Sequence, residues 1–404
     1  MDNKNIKVLM FGWELPPHNT GGLGVACYGL TKGLAHQGVK VAFALPRPLD
    51  GDIPFMEILP QEIEGVDITA INSQIQAYMT ADEYEDLLNY YVHKVTYPVH
   101  GNNLYEEALR FGALGELWSK TKPHDIVHAH DWMTYPAGVR AAQCSGKPLV
   151  LHVHATEFDR TGGNVDPRIA DIEYRGLSMA SKIIAVSNYT KNIIHDKYSI
   201  PLERIAVVHN GVDSVEFSAS DVRKVFPQDK IILYVGRLTF QKGVEYFLQA
   251  AKEVLKHSPN TVFIVAGTGD MERRLIMESA SLGIGNRVIF TGFTQGERLR
   301  ALYQMADVFV MPSVSEPYGI VALEAVASGI PSIISKQSGV SETLNHVFKV
   351  DFWDTQKIAR QILSILNFPK LAAERANSAR LEAKKLTWNK AASETLTLYQ
   401  SLTD

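Results

Sequence analysis

Cysteine is nearly missing from this 404-residue chain: only Cys27 and Cys144 occur. Two isolated thiols build no disulfide framework and have no metal-ligand spacing, so a reducing compartment is the expected home. Long apolar runs are missing too. No segment approaches the roughly 20 apolar residues that cross a bilayer. The run Ile6 to Phe11 behind Met1–Asn5 is interrupted by Lys7 and is too short for a signal-peptide core. Nor is there an excess of positive charge. With 40 Lys+Arg against 44 Asp+Glu the formal charge is −4, and no basic run stands out. Nucleic acid is therefore not an expected partner, although peripheral membrane contact stays open. Low-complexity tracts and short-period repeats are absent. A cytoplasmic protein acting on a small or neutral partner is the expectation.

What is present is an ordinary globular composition, 46% hydrophobic and 21% charged, in more chain than one core usually organises. Short β-branched runs alternate with longer amphipathic stretches, the pattern of βα units around parallel sheets. Strands are expected at 6–11, 39–45, around Ile58 and Ile68, and at 125–129, 148–153, 181–186 and 205–208. The first two flank a helix over 25–37, which Gly38 ends. Residues 76–120, rich in Tyr, Glu and Leu, read as helices and an insertion. There Tyr78, Tyr84, Tyr90, Tyr91, Tyr97 and Tyr105 serve ordinary packing or face an acceptor. Turn residues at His209–Asp213 mark a junction. A second series of strands then follows at 231–236, 261–266, 287–291, 308–311 and 331–334. The prediction is an α/β chain of two doubly wound domains facing across a cleft, with ligands beyond the carboxyl ends of the strands.

The densest chemistry follows the strand 308–311, in Pro312-Ser313-Val314-Ser315-Glu316-Pro317-Tyr318-Gly319-Ile320-Val321-Ala322-Leu323-Glu324. A helix starting near Gly319, Ile320 and Val321 offers free amides and a positive dipole end to a phosphate, with glycine allowing close approach. Glu316 is expected to be exposed in the preceding loop. Glu324 sits among apolar neighbours and needs a partner, either vicinal sugar or ribose hydroxyls or a nearby Lys or backbone group. Arg237 and Lys242, in the loop after 231–236, suit a diphosphate. The turn Pro16-Pro17-His18-Asn19-Thr20-Gly21-Gly22-Leu23-Gly24 either admits a phosphate or sugar or is a plain tight turn, and it is not the dinucleotide fingerprint. Two histidine pairs, His128/His130 and His152/His154, each share one strand face. No third ligand at fixed spacing completes a metal site, so no metal is expected, and His154 and Asp131 are the members best placed to face the cleft. Asp50-Gly51-Asp52 lies among prolines and reads as a turn.

Together these segments resemble the retaining GT-B glycosyltransferases of family 4 (group 1), close to the glycogen and starch synthase-like enzymes. The resemblance rests on Gly21-Gly22-Leu23-Gly24, His130-Asp131-Trp132, His154, Asn210-Gly211-Val212-Asp213, Arg237 with Lys242, and the pair Glu316 and Glu324. It implies two Rossmann-like domains, 1–208 on the acceptor side and 209–387 binding the nucleotide sugar. The C-terminal helix, 388–404, would return to the first domain.

By position, the resemblance implies that Arg237 and Lys242 hold the donor diphosphate, assisted by Gly22 and the amides of Gly319 to Val321. Glu324 would bind the ribose, and Glu316 and His154 the donor sugar. Asp131 would meet sugar or acceptor, and Gly292-Phe293 would line the base. Retaining transfer of a hexose from UDP-glucose or ADP-glucose to a glycan or other hydroxyl acceptor is implied, with neither cofactor nor metal. One position departs: the synthases usually carry Glu-Pro-Cys-Gly, whereas this chain has Tyr318 in place of the cysteine. On the same broad fold, a phosphorylase would need a pyridoxal phosphate lysine motif, which is not visible. An epimerase, a transferase for cell-surface glycans or small acceptors, and a non-catalytic nucleotide-sugar-binding protein are the other readings.

Overall fold

The computed structural model describes residues 6–17, 21–46, 49, 52–59, 104–214, 217 and 228–403. The strand expected around Ile68, Tyr78, Tyr84, Tyr90, Tyr91, Tyr97, the turn residues His18 to Thr20, and Asp50 and Gly51 lie outside them. The chain divides into two compact units. One comprises Met1–Phe158, Asn164–Gly211 and Trp388–Asp404; the other comprises Asp159–Gly163 and Val212–Thr387.

The first unit is built on β1 (Lys7–Phe11), β2 (Lys40–Ala44), β3 (Glu57–Ile58), β4 (Ile126–His130), β5 (Leu149–Val153), β6 (Lys182–Ala185) and β7 (Ile205–Val207). All pair in parallel, in the order β3-β2-β1-β4-β5-β6-β7. β4 and β5 are buried at every residue, as strands covered on both faces must be, which is why their apolar runs are nearly continuous. The helix Gly22–His36 follows β1, and the final helix Trp388–Thr403 lies against it. Glycine makes that approach possible. A Cβ on Gly29 would come within 2.4 Å of the Trp388 ring, and one on Gly33 within 2.7 Å of the Trp388 carbonyl oxygen.

The second unit carries β8 (Lys230–Val235), β9 (Thr261–Ala266), β10 (Val288–Gly292), β11 (Val308–Met311), β12 (Ser332–Ser335) and β13 (Phe348–Val350), all parallel, in the order β10-β9-β8-β11-β12-β13. Its core joins Ile232, Tyr234, Phe247, Phe263 and Val310, all essentially fully buried. β13 was not expected. It is an edge strand of only three residues with Lys349 at its centre, too short to show a strand period.

In each sheet the order reverses at one place, between β1 and β4 and between β8 and β11. The loops leaving neighbouring strands there turn away from each other and leave a crevice at the carboxyl ends. Residues 12–17 and 131–134 occupy that position in the first unit. In the second it belongs to 236–243 and 312–319, which hold Arg237, Lys242, Glu316 and Gly319.

Candidate functional site

In the second unit, β8 runs into Arg237 and a short turn, Phe240–Lys242, ahead of the helix Val244–His257. Gly243 joins turn to helix at φ 65°, and a Cβ there would stand 2.1 Å from the Pro312 carbonyl oxygen. Only glycine lets the two loops meet, and the Val314 amide then donates to the Gln241 carbonyl at 2.9 Å. This approach brings the Lys242 ammonium 2.7 Å from Glu316 Oε2, an oxygen that also accepts from Ser313 Oγ at 3.2 Å. Arg237 is half-buried, and its carbonyl accepts from the Tyr234 hydroxyl at 3.0 Å.

Glu316 is not the exposed loop residue expected from the sequence. It is 6% exposed. Its main chain is stitched to the next loop, the amide donating to the Gln337 carbonyl and the carbonyl accepting from the Gly339 amide, each at 2.9 Å. Lys242 compensates the charge this burial would otherwise strand. The helix Ile320–Ala327 begins three residues after Pro317 with Gly319 as its cap at φ 109°, and no side chain caps it. An α-helix leaves its first amides without intrahelical acceptors, so those of Gly319 to Val321 are available to an anion. Tyr318 is buried, 3% exposed, so its ring packs inside.

Glu324 stands one turn further on at 9% exposure. Its Oε2 accepts from the Tyr303 hydroxyl at 3.0 Å, a neutral partner on a different helix rather than a Lys or backbone group. Phe293 is half exposed, directly after Gly292 at the end of β10.

In the first unit, β4 and β5 pair with His130 opposite His152. The two i, i+2 pairs thereby become one block of four imidazoles. His128 and His130 stack at 4.4 Å with planes 17° apart, and His152 and His154 at 4.3 Å and 17°. His130 Nδ1 and His154 Nε2 share a hydrogen bond at 2.9 Å, and the Tyr399 hydroxyl from the final helix meets His128 Nδ1. Burial holds His128 neutral, lowering its pKa to about 3 with help from His154, and pushes His130 and His152 well down for the same reason.

Asp131 and His154 were expected to face a cleft, yet both are buried, at 0% and 8% exposure. Asp131 Oδ1 accepts from the amides of His154 and Ala155 at 2.6 and 3.2 Å, tying the end of β5 to that of β4. The residue holds φ 60° and ψ 166°, a conformation costing about 1–3 kcal/mol in a non-glycine residue, and those two bonds oppose that cost. Gly21 and Gly22 open the helix Gly22–His36. There the buried Glu14, which carried no motif, places Oε1 3.1 Å from the Gly24 amide, so a carboxylate of the chain itself already meets that helix start.

Two sets of metal-capable atoms lie within 4.8 Å of one another among the described residues: His128, His130 and His152, and Cys27, His130 and His154. An ion must lie in the plane of each imidazole it binds, whereas these rings are stacked face to face, 15° to 30° from parallel. Burial also raises the Cys27 thiol well above its ordinary pKa. In this arrangement the four rings pack face against face.

Two families match the chain in succession: Glycosyltransferase Family 4 over residues 20–216 and glycosyl transferases group 1 over residues 218–382. An uncharacterized glycosyltransferase of Methanocaldococcus jannaschii is 31% identical, covering 98% of this chain and 98% of its own length. A glycogen synthase of Mycobacterium tuberculosis is 29% identical over 98% of this chain and 94% of its own. Among solved structures, the Anabaena protein HepE in complex with UDP and glucose has a TM-score of 0.74 at 19% identity, covering 98% of this chain and 100% of that one. At that identity the likeness concerns the fold, the two-sheet GT-B architecture. No described helix is long and apolar enough to cross a membrane.

Proposed function

The chain belongs to the group 1 glycosyltransferases, and from that premise we propose that it moves a hexose, glucose being the leading sugar, from a nucleoside diphosphate sugar to an acceptor hydroxyl with retention of configuration. The observation that carries this reading is the Lys242–Glu316 pair at 2.7 Å beside the uncapped start of the helix Ile320–Ala327. It lies within the residues matched by the group 1 family and at the switch point of the second sheet.

A donor diphosphate is a stronger anion than Glu316, so it draws Lys242 onto itself with Arg237, while the amides of Gly319, Ile320 and Val321 meet its other oxygens. Glu316, released from its cation, accepts from sugar hydroxyls, and Glu324 accepts from the ribose. In the transfer step the anomeric C–O bond breaks with its electron pair leaving on the diphosphate. The acceptor oxygen forms the new bond, and its proton passes to the leaving diphosphate. Charge therefore grows on the diphosphate, where Arg237 and Lys242 stabilise it. Two side-chain cations and a helix start supply that positive charge, so the reading needs no resident metal.

An α-glucan is the leading acceptor, in keeping with the glycogen synthase relative. Tyr318 in place of the synthases' cysteine favours a second reading, in which the acceptor is a cell-surface glycan or small molecule. Release of UDP and ADP from a panel of nucleotide sugars, with maltooligosaccharide, other glycan and small-molecule acceptors, tests the proposal. Release that depends on an acceptor supports it, and the acceptor that responds chooses between the two readings. Donor binding with no release under any acceptor contradicts it and leaves a nucleotide-sugar-binding protein.

A further inference from the structure

We propose that Tyr303 is a positioning residue of the nucleotide site: its hydroxyl holds Glu324 Oε2 and so fixes the plane in which that carboxylate meets the ribose. The inference rests on the reading of Glu324 as the ribose acceptor. Tyr303 belongs to the helix Gly296–Met305 and is fully buried, its ring fixed edge-on to Phe217 at 6.0 Å and tilted against Phe309 at 6.2 Å. From that seat the hydroxyl reaches Glu324 Oε2 at 3.0 Å and the Val321 carbonyl at 3.1 Å. A phenol has one proton to give, and both neighbours are acceptors. It is thus shared between the first turn of the helix Ile320–Ala327 and the carboxylate borne on that helix's second turn.

Burial and the nearby Glu324 charge raise the Tyr303 pKa well above its ordinary value, so the group stays a donor through any working pH. A donor anchored on a rigid ring fixes the plane of a carboxylate whose own chain has three torsions. Two vicinal hydroxyls need that plane to be fixed if both are to be met. Were the hydroxyl there only to satisfy its own burial, the Val321 carbonyl would suffice. The second acceptor, on the residue assigned to the ribose, is what gives the contact a role in the site.

The test compares wild type, Tyr303→Phe, Glu324→Ala and the double variant. Calorimetry measures their binding of UDP and ADP and of the 2′,3′-dideoxy form of whichever binds tighter, with thermal melting recorded alongside. We expect Tyr303→Phe to weaken the natural nucleotide about three- to tenfold, the loss of one hydrogen bond to a charged group. Binding of the dideoxy form should stay within about twofold. In the Glu324→Ala background the Tyr303→Phe step should have almost no effect on either nucleotide. Equal weakening of both nucleotides by Tyr303→Phe, or full additivity with Glu324→Ala, overturns the inference while leaving the ribose reading intact. Should Glu324→Ala itself fail to distinguish the two nucleotides, the ribose reading falls and the inference with it.

Discussion

Lys242 and Glu316 neutralise each other at 2.7 Å before any ligand arrives, with side chains only 19% and 7% exposed. A buried pair of this kind contributes little net stability but fixes both groups at the place where charge will later change hands. Arg237→Ala or Lys242→Ala is therefore expected to lower kcat, read as NDP release at saturating donor, by at least about tenfold, roughly 1.4 kcal/mol of transition-state stabilisation. Normal turnover in both variants would remove the diphosphate role from these residues. At this scale the sequence exposes some groups and hides others for a physical reason. Arg237, Lys242 and Glu316 stand in loops directly after strands, so position alone marks them, and Glu324 is marked as a carboxylate among the apolar neighbours of the helix that follows. Tyr303 lies 21 positions from Glu324 inside an ordinary amphipathic helix, and only packing brings its hydroxyl to the carboxylate. Asp131 presents the converse case: the residue is conspicuous in the sequence, but its carboxylate serves the His154 and Ala155 amides.

Pairing of β4 with β5 in the register His130↔His152 converts two unremarkable i, i+2 pairs into a buried block of imidazoles. Each pair is visible in the sequence because strand side chains alternate, yet nothing in either segment states that the strands are neighbours or how they align. The block makes the first unit sensitive to acid. His128, with a folded pKa of about 3, and His130 and His152, also well below 6.5, bind fewer protons folded than unfolded. Their stabilisation is complete above the unfolded pKa near 6.5 and is lost as pH falls from there towards 3. Each histidine kept neutral costs about 1.4 kcal/mol between pH 7.5 and 5.5. In urea unfolding at those two pH values, His152→Phe should lose about 1.4 kcal/mol less than wild type. An identical loss in both proteins would mean that His152 does not carry the effect.

Across the whole molecule both sheets use one strand order, reversing between β1 and β4 and between β8 and β11. That architecture was legible because βα alternation with buried, β-branched strands leaves few alternatives to doubly wound parallel sheets. β13 escaped because an edge strand of three residues has no period to read. The acceptor was not legible either. The sequence places its expected contacts in 76–120, where no motif names a ligand, and residues up to 103 of that stretch lie outside those described. The donor side of the reaction can be followed directly by proton NMR of α-linked UDP-glucose or ADP-glucose incubated with the protein and a maltooligosaccharide or other responding acceptor. The donor's anomeric signal is expected to give way in equal measure to NDP and to a new α-linked hexosyl unit. A donor that survives unchanged with every acceptor, a β-linked product, or an epimeric sugar formed without acceptor would contradict that expectation.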